Sequence, residues 1–199
     1  MKKYTAIADT SQRLVRLLAA ELVPDVIRTP DEIGLRSPEE HGDVSLGLFL
    51  YDIQECEELQ QRGMLNTHID RQAYPPVYLN LFYMITAYWG GDLKFRMAQE
   101  ERILGGVVRV FHNHRLIPAG EGADNGGMAL HVQMQRLSVQ DRAQIWNFQR
   151  ISYKLSLFYK VSPVMIASGR EREVARVMEA DMGVVPISPS LSGGMRGKS

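Results

Sequence analysis

The chain has 199 residues, 45% of them apolar, with 23 Lys plus Arg against 23 Asp plus Glu and a formal net charge of zero. That apolar share suits a soluble globular protein long enough to bury a core without disulfides or metal. The charge balance gives no reason to expect nucleic acid, whose binders carry a basic patch, and it does not oppose association with other protein chains.

The one cysteine, Cys56, cannot close an internal disulfide, which fits a reducing compartment. Met1-Lys2-Lys3 leads into Tyr-Thr-Ala-Ile-Ala-Asp without the apolar core of a signal peptide, and no apolar run is long enough to span a bilayer. The expectation is a chain made and folded in the cytoplasm, with no direct membrane insertion.

The first element reads as a helix. Asp9, Thr10 and Ser11 offer N-cap oxygens, Leu14, Leu17, Leu18 and Leu22 recur at helical spacing, and Pro24 closes it. Residues 28–42, with Pro30, Gly34, Pro38 and Gly42, read as a connecting loop or short ribbon. Val44 to Tyr51 alternates with period two and predicts a strand with Val44, Leu46, Leu48 and Leu50 on one face. Glu55 to Tyr74 is polar and reads as a surface excursion. After Pro75-Pro76, Val77 to Tyr88 predicts a second strand. Val77, Leu79, Leu81, Tyr83 and Ile85 share one face, and Tyr78, Phe82 and Met84 the other, as in a central strand covered on both sides.

Leu93 to His114 is the longest helical stretch, with Met97, Leu104, Val107, Val108 and Phe111 as its apolar stripe. Residues 117–127 form a glycine-rich loop. A phosphate cradle is the functional reading of those glycines, and a weak one, since no Gly-Lys-Ser/Thr ending follows and a strand, not a helix, comes next. Leu130, Val132 and Met134 alternate with polar residues in a third strand. Ser138 and Asp141 make a capping-box pair opening a short helix, with Ile145 and Trp146 as its core contacts. Tyr153, Leu155, Leu157, Tyr159 and Val161 predict a fourth strand, interrupted at Pro163 and resumed by Val164 and Ile166. Arg170 to Asp181 is charged, helix or ribbon, and the glycine- and proline-bearing remainder reads as an arm with little core of its own. Together these predict an α+β domain over residues 1–168, with a mixed or antiparallel sheet of four or more strands packed by about three helices, and an extension over 169–199.

No set of residues converges on chemistry. His112-Asn113-His114 spells the letters that name a nuclease family, but that family spreads its ligands over a hairpin and a following helix. Here a long helix precedes and a glycine loop follows. Positions i and i+2 on a helix also point apart, so the two rings do not share a metal. The reading is a helix C-terminus, where positive charge complements the dipole. His68 and Asp70 lack a third ligand at a zinc-like spacing. Cys56 has no local His or glycine-rich elbow. Glu100 and Glu101 read as solvent-facing or paired with Lys94 and Arg96. No catalytic residue, cofactor or metal is expected.

Six phrases taken together are more informative: IADTSQRLVRLLAAEL at 7–22, VSLGLFLYDI at 44–53, PPVYLNLFYMITAY at 75–88, ERILGGVVRVFHNHRLI at 101–117, LSVQDRAQIW at 137–146 and YKLSLFYKVSPVMI at 153–166. In this order the chain resembles the tail-terminator or cap proteins of extracellular contractile injection systems of the antifeeding-prophage type, over residues 4 to 168. The resemblance implies a tail-terminator-like fold and a structural, non-enzymatic role. It implies a homo-hexameric ring at the baseplate-distal end of a phage-tail-like particle, fixing its length and joining the inner tube protein to the sheath protein. A second cap paralogue in the ring is compatible with it. The particle would be assembled in the cytoplasm and then released or tethered. The alternatives are another tail module, such as a tube initiator, neck or baseplate adaptor, and a metal-dependent hydrolase using His112 or His114. For partner binding the arm offers Arg170, Arg172, Val174, Arg176, Val184, Val185 and Ile187, which could add a strand to a neighbour's sheet edge.

Overall fold

A computed structural model describes residues 4–60, 63–68, 71–119, 127–148 and 151–173. Among them are three α-helices, α1 (Ala6–Leu22), α2 (Arg96–Asn113) and α3 (Val139–Ile145). The strands are β1 (Ile33–Leu35), β2 (Leu46–Glu55), β3 (Leu65–His68), β4 (Arg71–Ala73), β5 (Val77–Ala87), β6 (Leu116–Ile117), β7 (Leu130–Met134), β8 (Ser156–Ile166) and β9 (Glu171–Glu173). Six strands form one sheet in the order β1-β2-β5-β8-β7-β6, and β3-β4-β9 form a second, three-stranded sheet. Only the β1–β2 pair of the large sheet is parallel, so the sheet is mixed and the fold is α+β.

The period-two patterns explain the middle of the sheet. Leu46 and Leu48 of β2 and Leu79, Leu81, Tyr83 and Ile85 of β5 point to one face, where they join Leu14, Leu18 and Leu22 of α1 and Val107, Val110 and Phe111 of α2 in the main core. Met84 of β5 and Phe158 of β8 point to the other face, where Trp146 at the end of α3 seals a smaller cluster with Phe49, Tyr51 and Phe148 packed around it. Both faces of β5 are therefore covered, and burial of these apolar side chains drives the arrangement.

Several boundaries differ from the sequence reading. α1 starts at Ala6 with Thr5 as its N-cap residue, so Asp9, Thr10 and Ser11 lie inside the helix. Asp9 still suits the first turn, where a carboxylate meets the positive end of the dipole. Thr10 and Ser11 are buried instead of capping. The 28–42 segment holds β1 between two 3-10 turns, Pro30–Glu32 and Pro38–Glu40. The Glu55–Tyr74 excursion contains β3 and β4, which its polar composition hid. A 3-10 turn, Leu93–Phe95, precedes α2. Met97 is 74% exposed and Val108 is exposed too, and the buried stripe runs through Ile103, Leu104, Val107, Val110 and Phe111. The helical period continues into the first turn, where Met97 stays exposed.

β8 begins at Ser156, leaving Tyr153 and Leu155 exposed before it, and it runs unbroken through Pro163. The register explains the tolerance. β5 pairs Leu79 with Val164 and Leu81 with Val161, so Ser162 and Pro163 share the place opposite Asn80. The β7 ladder reaches Ser162 and stops there. Pro163 thus sits at a bulge where its missing N–H breaks no ladder bond.

Candidate functional site

The histidines sit where the sequence put them, at the end of α2. His114 is the C-cap residue, and its Nε2 lies 3.3 Å from Oε1 of Glu21 on α1. His112 is exposed, and its Nδ1 accepts from Nη2 of Arg115 at 2.9 Å. Each ring is thus turned to a different neighbour, His112 to Arg115 and His114 to Glu21. Among the described residues no group of three or more His, Cys, Asp or Glu could hold a metal ion. His68 ends β3, and Asp70 lies outside the described residues.

Cys56 is buried, and its Sγ lies 3.4 Å from a Glu58 carboxylate oxygen, to which the thiol donates. Burial first, then that bond to Glu58, pushes the thiol up from its ordinary value. A thiol kept protonated is a poor nucleophile. Glu100 does not pair with Arg96 or Lys94. Its Oε1 accepts from Lys154 Nζ at 2.6 Å and from the Trp89 backbone N–H at 3.2 Å, tying α2 to the approach of β8. Trp146 is buried, as expected of a core contact of α3, and Tyr88 is buried too.

The polar contacts that sequence reasoning missed are long-range. Ser11 Oγ donates to the Ile7 carbonyl at 3.1 Å, which leaves the Tyr83 hydroxyl to donate to Ser11 at 2.7 Å. The Thr86 and Ser156 hydroxyls meet at 2.8 Å between β5 and β8. No local spacing announces pairs separated by about seventy positions.

The root of the expected arm lies against the small sheet. Arg170 is exposed. Its guanidinium carbon stands 5.4 Å from the centre of the Tyr74 ring, and its carbonyl accepts from the Tyr74 N–H at 3.2 Å. Arg172 lies in β9, in register with Gln72 of β4. Val174, Arg176, Val184, Val185 and Ile187 fall outside the described residues.

Exposed surfaces remain, and two of them carry several apolar side chains. One is an apolar tip ahead of α2, where Leu93 is 71% and Phe95 52% exposed alongside Met97. The other is a groove of about 520 Å³ between the last turns of α2 and β7, lined by both apolar and basic side chains. Apolar groups held in water at one place are the mark of a protein contact. These two surfaces are open to a partner.

Residues 9–180 match the model of the family described as the Pvc16 N-terminal domain. Two solved structures are similar. One is the PVC sheath/tube terminator of an extracellular contractile injection system in the extended state, at 22% identity and a TM-score of 0.67 over 94% of this chain. The other is the anti-feeding prophage cap, a tube-terminating cap, at 20% identity and a TM-score of 0.60 over 89% of this chain. This chain spans 65% and 60% of the lengths of those two chains. Among curated protein sequences, none matches.

Proposed function

The chain belongs to the Pvc16 N-terminal domain family, and on that premise we propose that it is the structural cap of a contractile injection particle. The observation that carries the reading is the shared fold over 94% of the chain with a sheath/tube terminator. In this reading six copies form a ring on the baseplate-distal end of the particle. The ring binds the last tube and sheath rings, fixes their finished length and joins the two during contraction.

The physics is that of a polymer end. Tube and sheath grow because each ring exposes a surface that the next one buries. A cap binds that terminal surface and presents no copy of it, so addition stops. A permanent seal of this kind buries about 2,000 Å² or more with an apolar centre. The tip of Leu93, Phe95 and Met97 is suited to such a contact. The 169–199 extension serves as an arm reaching a neighbouring protein, with Arg170 and Arg172 at its root. Its remaining candidates are Val174, Arg176, Val184, Val185 and Ile187. The chain acts by shape and turns over no substrate. It is a component of the assembled particle, and no helix among the described residues is long and apolar enough to cross a membrane.

Imaging particles from a strain lacking this gene tests the reading. Tubes or sheaths of abnormal length, or no assembled particles, are expected. Uniform particles of normal length that still contract would overturn it. Labelling the chain in wild-type particles separates a cap, at the end away from the baseplate, from an initiator or baseplate adaptor at the other.

A further inference from the structure

The groove beside β7 has an apolar interior and a basic rim. Phe111, Val132 and Tyr159 form its buried floor, and Met134 and Val108 are exposed on its walls. His112, Arg115 and Arg136 stand exposed around it. β6, two residues long, ends the large sheet on this side and carries the exposed Leu116.

The opposite end of the same sheet has the opposite sign. β1 is the edge strand there, three residues long, set between the turns Pro30–Glu32 and Pro38–Glu40. Asp31, Glu40 and Asp43 are exposed around a cleft of about 400 Å³, which Glu32 and Arg36 also line. Glu39 is exposed beside them, and Leu35 adds an apolar side chain. Six strands separate the two edges by five strand spacings, about 24 Å. The β6–β7 loop residues Glu121 and Asp124 fall outside the described residues.

Short, charged edge strands guard a sheet against edge-to-edge aggregation. That guard works whichever sign the edges carry, provided both carry the same one. Here the signs differ. Two β1 edges repel each other, two β6–β7 edges repel each other, and one of each attracts. The zero net charge conceals this polarity and leaves no overall repulsion to resist it. Like-to-like pairing is therefore disfavoured and head-to-tail pairing favoured, which is the contact type that closes rings.

We infer that copies of this chain associate head to tail, with the acidic β1 edge of one copy seated in the apolar, basic-rimmed groove at the β6–β7 edge of the next. The contact rests on the ring reading above for its closure and deepens it by assigning the surfaces. Leu35 of one copy meets Leu116 and Met134 of the other, and Glu39, Glu40 and Asp43 face Arg115 and Arg136.

Sedimentation of the purified full chain over a concentration series tests this. Wild type is expected to self-associate, and to do so at least about tenfold more weakly when salt rises from about 0.05 to about 0.5 M. Two variants reverse one edge each: Glu39→Lys with Glu40→Lys, and Arg115→Glu with Arg136→Glu. All four positions are exposed, and thermal melts establish that each variant folds. Each variant alone is expected to associate at least about tenfold more weakly than wild type. An equimolar mixture of the two is expected to recover association, because every junction can again join opposite signs. A wild type that stays monomeric at all concentrations overturns the inference. So do variants that associate like wild type, or a mixture that does not recover. These outcomes are independent of the cap assignment. Particles unchanged by gene deletion would dismiss the cap and leave the contact standing, and a monomer that still terminates particles would do the reverse.

Discussion

Ser11 shows how far a single residue can depart from its local meaning. In sequence it stands where a helix cap would, and its spacing from the leucines supports that. In the fold it accepts from Tyr83, fully buried on β5, while donating to the Ile7 carbonyl. The partner is 72 positions away, so nothing near Ser11 could reveal it. The two ends of the bond differ in consequence. Ser11→Ala strands the Tyr83 hydroxyl in the core and should cost about 1–3 kcal/mol, whereas Tyr83→Phe leaves Ser11 its second partner and should cost about 1 kcal/mol. Urea denaturation of both, with the double variant losing less than their sum, checks the pairing. Tyr83 also belongs to a set of three buried phenols. Burial pushes Tyr83, Tyr88 and Tyr159 each up to about 12, with Glu100 adding to the rise at Tyr88. The unfolded chain releases these protons near pH 10, before the folded chain does. The stability they contribute is thus complete below pH 10 and is lost as pH rises toward 12. Denaturation midpoints across that window should fall, and Tyr83→Phe should make the fall shallower.

At the scale of elements, what was legible was what is periodic or capped locally. The Ser138–Asp141 box is present in full, with both reciprocal bonds made. It opens α3, whose following residue Trp146 is buried between Tyr153 and Phe148. Ser138→Ala should cost about 1 kcal/mol and shift the Trp emission to the red as α3 frays. β3 and β4 were illegible because both are short and polar, and the strand that completes their sheet, β9 beside β4, arrives from about a hundred positions later. Adjacent glycines on α2 give a sharper test of packing between α1 and α2. A Cβ on Gly105 meets nothing within 4 Å, whereas one on Gly106 would stand 2.8 Å from Cδ2 of Leu22, itself fully buried. Gly105→Ala should gain up to about 1 kcal/mol from helix propensity. Gly106→Ala forfeits that gain by displacing Leu22, and the two variants should differ by about 1–2 kcal/mol in chemical denaturation.

For the whole molecule, the covered central strand and the helix-on-sheet architecture followed from alternation on both faces of β5. The polarity of the sheet edges did not, because Asp31, Glu40 and Asp43 come from one part of the chain and Arg115 and Arg136 from another. Only the strand order places these groups at opposite ends. Surface and core also separate cleanly at this scale. Leu93, Phe95 and Met97 pack against little, so changing all three to Ser should leave stability within about 0.5 kcal/mol of wild type per site. The same variant should fail to incorporate into particles when scored by labelling. Normal incorporation would remove the tip from the interface.

The register has a mechanical side. β6 is stitched to β7 through Leu116↔His131 and Ile117↔Leu130, and β1 to β2 only from Ile33 to Leu35, whereas β5 is laddered on both sides along most of its length. A pull delivered at the rims must pass through these brief stitches before it reaches the centre. In an optical trap with handles on Leu35 and Leu116, the rims should peel at low force, leaving an intact β2-β5-β8 middle that yields only under a much heavier load.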